Sequence, residues 1–180
     1  MSLEKAPGFF SRHPTMSAFC VAAVVAVVSG VGVMYSGIYD VSATSGHNPA
    51  IAWVLHKTYL QSLHRHAAGI QAPADLMTVA NVQAGARLYR DTCMTCHGAP
   101  GRPLSPIAQG IVPNAPLLLS ATRRNNPPLM FWVIKNGVKM TAMPAFGKTQ
   151  DDKAIWALTA FLYKARGINS SDFAKLSAPQ

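Results

Sequence analysis

The stretch Cys93-Met94-Thr95-Cys96-His97 is the most informative part of this 180-residue sequence. Two cysteines stand three positions apart, about one helical turn, and a histidine follows at once. A structural zinc site would need two further ligands at matching spacing, yet the chain has no second cysteine pair. A thioredoxin-type redox pair would lie in a βαβ context, and no β-branched run precedes Cys93. The motif therefore calls for a different kind of site.

The spacing of the motif fits covalent attachment of a c-type haem. Two thiols one turn apart can add to the two vinyl groups of one porphyrin, and His97 is then placed to coordinate the iron from the same side. The single motif predicts one covalently attached haem c, bound through Cys93 and Cys96, with His97 as an axial ligand of the iron.

The second axial ligand is expected to be a methionine further along the chain. Met143 is followed by Pro144, which restrains the backbone, and Gly147 permits a turn, so this loop can hold a thioether against the iron. A methionine opposite a histidine raises the potential into the range of electron carriers. Met140 is the rival ligand, and Met130 is a more distant candidate.

Residues 16–35, MSAFCVAAVVAVVSGVGVMY, form an uncharged apolar run just long enough to span a bilayer as a helix. Lys5 and Arg12 precede the run, so the positive-inside rule places the N-terminus in the cytoplasm and the chain after Asp40 outside. The alternative is a cleavable signal peptide, because residues 41–43 resemble a cleavage site; the run exceeds the usual apolar region of about 7–15 residues. Residues 1–40 are therefore predicted to be a cytoplasmic N-terminus and a retained transmembrane anchor.

Residues 41–77 are predicted to hold an amphipathic helix and a linker. Asn48 and Pro49 are typical of a helix start, and the helical pattern continues to about Ala68. The apolar positions with helical spacing are Ile51, Val54, Leu55, Tyr59 and Leu63. Three roles stay open for this helix: lying on the membrane surface, packing on the following domain, or docking on a partner subunit.

Residues 78–180 are predicted to form a helical domain with a C-terminal tail. One helix starts near Thr78 and runs into Cys93, and a short helix covers residues 127–137. The last helix spans residues 149–166 and opens with a capping pattern at Thr149 and Asp152. Gly85 would let this last helix cross the first one closely. No run alternates with period two, so the fold class is all-α.

The composition constrains the partners. The chain is 49% hydrophobic and 13% charged, which excludes a disordered chain or a coiled coil. Its 16 Lys and Arg against 7 Asp and Glu give a formal charge of +9, which predicts an acidic partner, an anionic cofactor or an anionic membrane surface. Of these we expect an acidic docking surface on a protein partner. We expect no nucleic-acid partner.

From about Val79 to Lys164 the chain resembles class I cytochromes c. The resemblance rests on the attachment motif and on these further residues: Gly85, Tyr89, Gly98, Pro113, Leu117, Gly137, Met143, Pro144, Ala145, Phe146 and the segment from Trp156 to Leu162. It implies thioether links at Cys93 and Cys96, with His97 and Met143 as the axial ligands of the iron. It also implies a proline carbonyl that accepts the free ring N–H of the histidine, for which Pro113 is the candidate.

The resemblance implies a haem protein on the outer face of the membrane that carries single electrons. The anchor lies outside the family pattern, and the apolar run with its basic flank separately predicts one helix in a bacterial inner membrane and a haem domain in the periplasm. We expect the cytochrome subunit of a larger respiratory oxidoreductase, docking on its membrane oxidoreductase or oxidase subunits. The alternatives are a free tethered shuttle and, less favoured, a haem enzyme such as a peroxidase. An enzyme would need a distal acid–base residue, but no histidine follows His97 and no glutamate follows Glu4. No catalytic residue is expected.

Overall fold

The computed structural model describes residues 14–179, and over that range the chain forms helices and loops with no strand. The prediction of an all-α fold is confirmed. The chain divides into two compact units, with the boundary between Ser42 and Ala43.

The first unit contains one long helix, α1 (Pro14–Ser36). Residues Thr15–Ser36 are long and apolar enough to cross a membrane, and their valines, such as Val24 and Val28, are exposed. Exposed apolar side chains on every face are typical of a helix whose solvent is lipid. The predicted N-terminal apolar helix is confirmed; Lys5 and Arg12, on which its predicted orientation depends, lie outside the described residues.

The second unit is built from short helices around one core. In chain order they are α2 (Pro49–Ala67), α3 (Val79–Leu88), a π-helical turn (Tyr89–Cys93), α4 (Met94–His97), α5 (Pro106–Gly110), α6 (Pro127–Asn136), a 3₁₀ turn (Phe146–Lys148), α7 (Asp152–Lys164) and α8 (Ser170–Leu176).

Helices α3 and α7 cross at Gly85 and form the centre of the core. A Cβ on Gly85 would overlap the carbonyl of Ala157 and lie 2.8 Å from the Cβ of Phe161. Because only hydrogen fits there, the two backbones approach closely, as the sequence predicts. The apolar face of α7, including Ile155, Leu158 and Leu162, is buried against α3 and α6.

The start of α7 differs from the prediction. The capping residue is Asp151, whose carboxylate accepts a hydrogen bond of 2.8 Å from the backbone N–H of Ala154. The predicted cap at Thr149 is wrong, because Thr149 belongs to the preceding turn and donates its own N–H to the carbonyl of Phe146.

Two short helices were not predicted. Helix α5 lies within the proline-rich loop after the attachment motif and is capped by Ser105. Helix α8 lies within the predicted tail and is capped by Asn169. Phe173 of α8 is buried, and its ring contacts the rings of Tyr89 and Phe161. The tail is therefore part of the core.

The C-terminal half of α2 packs on the following domain, which was one of the three roles left open. Leu63 and Ala67 are buried, and helix α2 contacts α6. The ring of His66 stacks on the ring of Trp132 with 5.5 Å between centroids. Residues 49–58, the N-terminal half of α2, are exposed except for the half-buried Leu55.

Candidate haem-attachment site

The two thiols of the motif lie on consecutive helical segments. Helix α3 continues into the π-helical turn that ends at Cys93, and α4 then carries Cys96 and His97. Cys93 is buried and Cys96 is half-buried, and neither forms a disulfide. Burial raises the pKa of the Cys93 thiol to about 11. The polypeptide thus presents two free thiols within one turn, as thioether formation requires.

His97 is held by one hydrogen bond to the backbone. Its ring Nδ1 lies 2.8 Å from the carbonyl oxygen of Pro116. Because a carbonyl oxygen can only accept, Nδ1 carries the proton and Nε2 keeps its lone pair. Burial lowers the pKa of His97, so the ring is held in its neutral, metal-ligating form.

The prediction that Pro113 accepts this hydrogen bond is wrong; the acceptor is Pro116. The segment that passes beside the motif is the one at Pro116 and Leu117. A Cβ on Gly98 would lie 3.3 Å from Cδ2 of Leu117, so this leucine covers the residue that follows His97. The histidine therefore hydrogen-bonds to a proline carbonyl three positions later in the chain than expected.

Two further side chains hold the backbone of the motif. The hydroxyl of Tyr89 is buried and donates a hydrogen bond of 2.8 Å to the carbonyl of Gly98. Burial raises the pKa of Tyr89, which keeps its hydroxyl protonated as a donor. The hydroxyl of Ser105 donates a bond of 2.6 Å to the carbonyl of Thr95. Sequence reasoning used Tyr89 only as a mark of resemblance and missed both bonds.

The loop that carries Met143 is tied to itself and to the end of α6. The backbone N–H of Met143 donates to Oγ1 of Thr141 at 3.1 Å, and its carbonyl accepts from the N–H of Val138 at 3.2 Å. A Cβ on Gly137 would lie 2.7 Å from the carbonyl carbon of Pro144, so the loop packs directly on this glycine. These contacts fix the backbone position of Met143, from which its side chain extends.

The three candidate methionines differ in their surroundings. Met143 is half-buried and packs against the core. Met140 is 74% exposed and has a positive φ of 60°, whereas Met130 is buried within the core on α6. The half-buried Met143 is at the edge of the core, where its sulfur could reach a haem iron beside the core. The exposed Met140 and the buried Met130 are less well placed for this.

Positive charge lies close to the histidine. Arg123 is half-buried, and its charge contributes to lowering the pKa of His97, after the larger effect of burial. Its Nε donates a hydrogen bond of 3.1 Å to Oδ1 of the buried Asn125. Lys135 forms an ion pair of 2.7 Å with Asp152, whereas Arg102, Lys139 and Lys148 are exposed.

The donor set fits a covalently bound haem. A porphyrin takes from the protein two thiols and an axial imidazole, and the motif supplies both thiols with a histidine in the correct tautomer. A zinc ion would need three or four ligands together, and no cluster of three His, Cys, Asp or Glu side chains occurs within residues 14–179.

Comparison with known proteins agrees with this chemistry. Residues 80–162 match the family model described as cytochrome c oxidase, cbb3-type, subunit III. The match covers the attachment motif, the Met143 loop and most of α7. No curated protein and no solved structure matches the chain. Residues 80–162 therefore match a cbb3-type cytochrome c domain, which is a class I c-type cytochrome, and an N-terminal apolar helix precedes this domain.

Proposed function

We propose that the protein is a membrane-anchored monohaem cytochrome c, and that it carries single electrons as the cytochrome subunit of a larger respiratory oxidoreductase. The observation that carries the proposal is the folded attachment motif, in which the carbonyl of Pro116 holds His97 in its metal-ligating tautomer beside two free thiols. The matched family is one of electron-transfer proteins that bind haem c.

In this proposal four side chains hold one haem. Cys93 and Cys96 would form the thioether links, and His97 and Met143 would ligate the iron. The haem would supply a one-electron redox couple, and methionine together with histidine ligation would give it a high potential. The chain's own contribution is positional. Pro116 and Tyr89 hold the histidine segment, and the bonds at Thr141 and Val138 hold the methionine loop.

An enzymatic role is not part of the proposal. A haem iron with protein ligands on both faces has no open position for a substrate. A peroxidase would also need an acid–base side chain near the iron, and His97 is the last histidine in the chain while Glu4 is the sole glutamate. These features favour electron transfer over catalysis.

We further infer the topology of the chain. Residues 1–40 would be the cytoplasmic N-terminus and anchor, 41–77 the helix and linker, and 78–180 the haem domain with its C-terminal helix. The basic residues ahead of α1 support a cytoplasmic N-terminus in a bacterial inner membrane, with the haem domain in the periplasm. Tethering keeps the haem at a high effective concentration near membrane partners.

The expected partners are oxidase or other oxidoreductase subunits. The family description names an oxidase subunit, which supports membership of such a complex. The formal charge of +9 supports docking on an acidic surface, and the exposed Lys139 and Lys148 follow the helix that packs beside the methionine loop. A free tethered shuttle is the alternative function, since the same charge would serve transient docking.

The test is the size of the particle that contains the haem after solubilisation in a mild detergent. We expect the haem stain to migrate with a larger complex that contains this chain and an oxidoreductase subunit. A lone haem-bearing chain of 19.2 kDa would overturn the subunit role in favour of the tethered shuttle. The variant with both Cys93→Ser and Cys96→Ser is the control, because it removes the stain that belongs to this chain.

A further inference from the structure

The first two turns of α2 are apolar on every face, and all of their residues except the half-buried Leu55 are exposed. Residues 49–55 read PAIAWVL, so no polar face exists in this segment. Ile51 is 43% exposed, Trp53 is 63% exposed and Val54 is 53% exposed. A helix that is apolar all round is normally buried, and a contiguous exposed apolar patch marks an interaction site. We call residues 49–55 the α2 tip.

The α2 tip is held away from the core by the other end of the same helix. Leu63 and Ala67 are buried, and His66 stacks on Trp132 of α6. At its start, the side chain of Asn48 accepts a hydrogen bond of 2.9 Å from the N–H of Ala50. The helix is thus capped at one end and packed at the other, while Ile51, Trp53 and Val54 of the tip are exposed.

The chemistry around the α2 tip favours a lipid surface as its occupant. No Asp or Glu occurs between residues 41 and 74, while Lys57 and Arg65 follow the tip on the same helix. Basic residues beside an apolar helical segment suit anionic headgroups, and tryptophan is enriched where a membrane meets water.

The connection to the apolar helix α1 brings the α2 tip within reach of a bilayer. Residues 37–48 link the two helices, and a linker of that length extends no more than about 40 Å. The linker is itself partly apolar, since Ile38, Tyr39 and Val41 are all exposed. The tip is therefore the first helical segment of the chain after the proposed membrane-spanning helix.

We propose that the α2 tip, residues 49–55, inserts into the interfacial region of the bilayer that holds α1 and attaches the haem domain to the membrane at a second point. This inference rests on the proposed role of α1 as a membrane anchor. With the C-terminal half of α2 packed on α6, the insertion restricts the orientation of the haem domain, which tethering by a flexible linker alone does not do.

The experiment measures the accessibility of nitroxide labels in the full-length, haem-bearing protein. The protein is placed in nanodiscs of phosphatidylcholine and phosphatidylglycerol with no other protein present. A label is attached at Val54→Cys in a Cys20→Ala background, since the other two cysteines are taken up by the haem. The relaxation of the label by apolar oxygen is then compared with its relaxation by a water-soluble nickel chelate, each reagent being added separately.

Two further labels serve as controls. Gln61→Cys lies on the same side of α2 about two turns later, where the side chain is exposed and the sequence is polar. Val28→Cys lies within α1 and reports on the anchor alone. We expect oxygen to reach the Val54 label several-fold more effectively than the nickel chelate, and the reverse at Gln61.

Each other outcome at Val54 overturns the inference. Equal nickel access at Val54 and Gln61 would show that the tip lies in water. Exclusion of both reagents would show that protein covers the tip, as in a contact between copies of this chain. The Val28 label separates this failure from failure of the anchor. If oxygen reaches Val28 while nickel does not, the anchor is in lipid whatever the tip does; nickel access at Val28 would refute the anchor itself.

Discussion

Hydrogen bonds to backbone carbonyls set the local geometry of the attachment motif at the scale of single residues. His97 donates to Pro116, and Tyr89 donates to Gly98 on the next residue of the chain. The first bond chooses the histidine tautomer, and the second fixes the backbone that carries the histidine. Loss of either bond removes a hydrogen-bond donor from a backbone carbonyl. The loss is more costly at Gly98, which is buried, than at Pro116, which is exposed to water.

Replacing Tyr89 by Phe is expected to destabilise the haem domain. The variant keeps the buried ring but leaves the carbonyl of the buried Gly98 without its hydroxyl donor. An orphaned buried acceptor costs about 1–3 kcal/mol in the free energy of unfolding, which denaturant titration of the haem-bearing protein in detergent measures. Tyr163→Phe is the matched control, because this tyrosine is exposed and its loss should cost about 0.5 kcal/mol or less. Equal losses in the two variants would contradict a role for the Tyr89 hydroxyl.

Replacing Met143 by Ala is expected to abolish the near-infrared band of the oxidised protein that arises from sulfur bound to iron. The midpoint potential should fall as well, because a methionine ligand raises it. Met140→Ala is the control, since Met140 is exposed and should leave both properties unchanged. A band that survives in Met143→Ala and disappears in Met140→Ala would reassign the ligand.

The limits of sequence reasoning at this scale are visible in one hydrogen bond. The residues of the attachment motif are recognisable because thioether chemistry fixes their spacing. The histidine's acceptor is not, because any of several prolines after the motif offers a carbonyl and the path of the loop decides which one arrives. That path includes helix α5, a five-residue helix in a proline-rich loop that the sequence pattern did not predict. The role of Met143 stays a prediction that the variant above tests.

At the scale of elements, the crossing of α3 and α7 organises the domain. Because Gly85 has no side chain to separate the two helices, they pack closely at this point. The face of α7 that packs on α3 is buried. The loop of Met143 packs on Gly137 at the end of α6, which in turn packs on α7. The elements that carry the two proposed axial ligands are therefore both braced by α7 or its neighbours.

Gly85→Ala is expected to destabilise the domain by about 3 kcal/mol, at the upper end of the usual cost of overpacking. The added methyl group would meet the backbone of Ala157, which cannot move aside as a flexible side chain can. Gly110→Ala is the control, because a Cβ at that helical position meets nothing within 4 Å. Denaturant unfolding of the two variants measures the difference, and equal stability would show that the helices do not depend on this close approach.

The elements that sequence reasoning found and missed differ in length and packing. The 19-residue helix α2 and the 13-residue helix α7 show clear periodicity, and both were predicted. Helix α8 has 7 residues, too few for a periodic pattern, although Asn169 as a cap and Phe173 as an apolar residue were visible signals. The π-helical turn that ends at Cys93 has no sequence signal of its own, and it contains the buried residues Tyr89 and Cys93.

At the scale of the whole molecule, the chain combines a helix long and apolar enough to span a membrane with a basic cytochrome c domain. Residues 41–74, the segment that holds α2 and its exposed apolar tip, contain no Asp or Glu. The sequence predicted the amphipathic helix but left its role open. The packing of Leu63 and Ala67 settled the role of one half, because contacts between distant segments become visible only in three dimensions.

A covalent bond between this chain and one haem is the central requirement of the proposed function. Intact-mass spectrometry of the purified protein under denaturing conditions tests it directly, because a ligated but unattached haem is lost on unfolding whereas a thioether-bound haem stays. We expect a single species with the mass of the polypeptide plus one haem. A species at the polypeptide mass of 19.2 kDa alone, or one that carries two haems, would contradict the account.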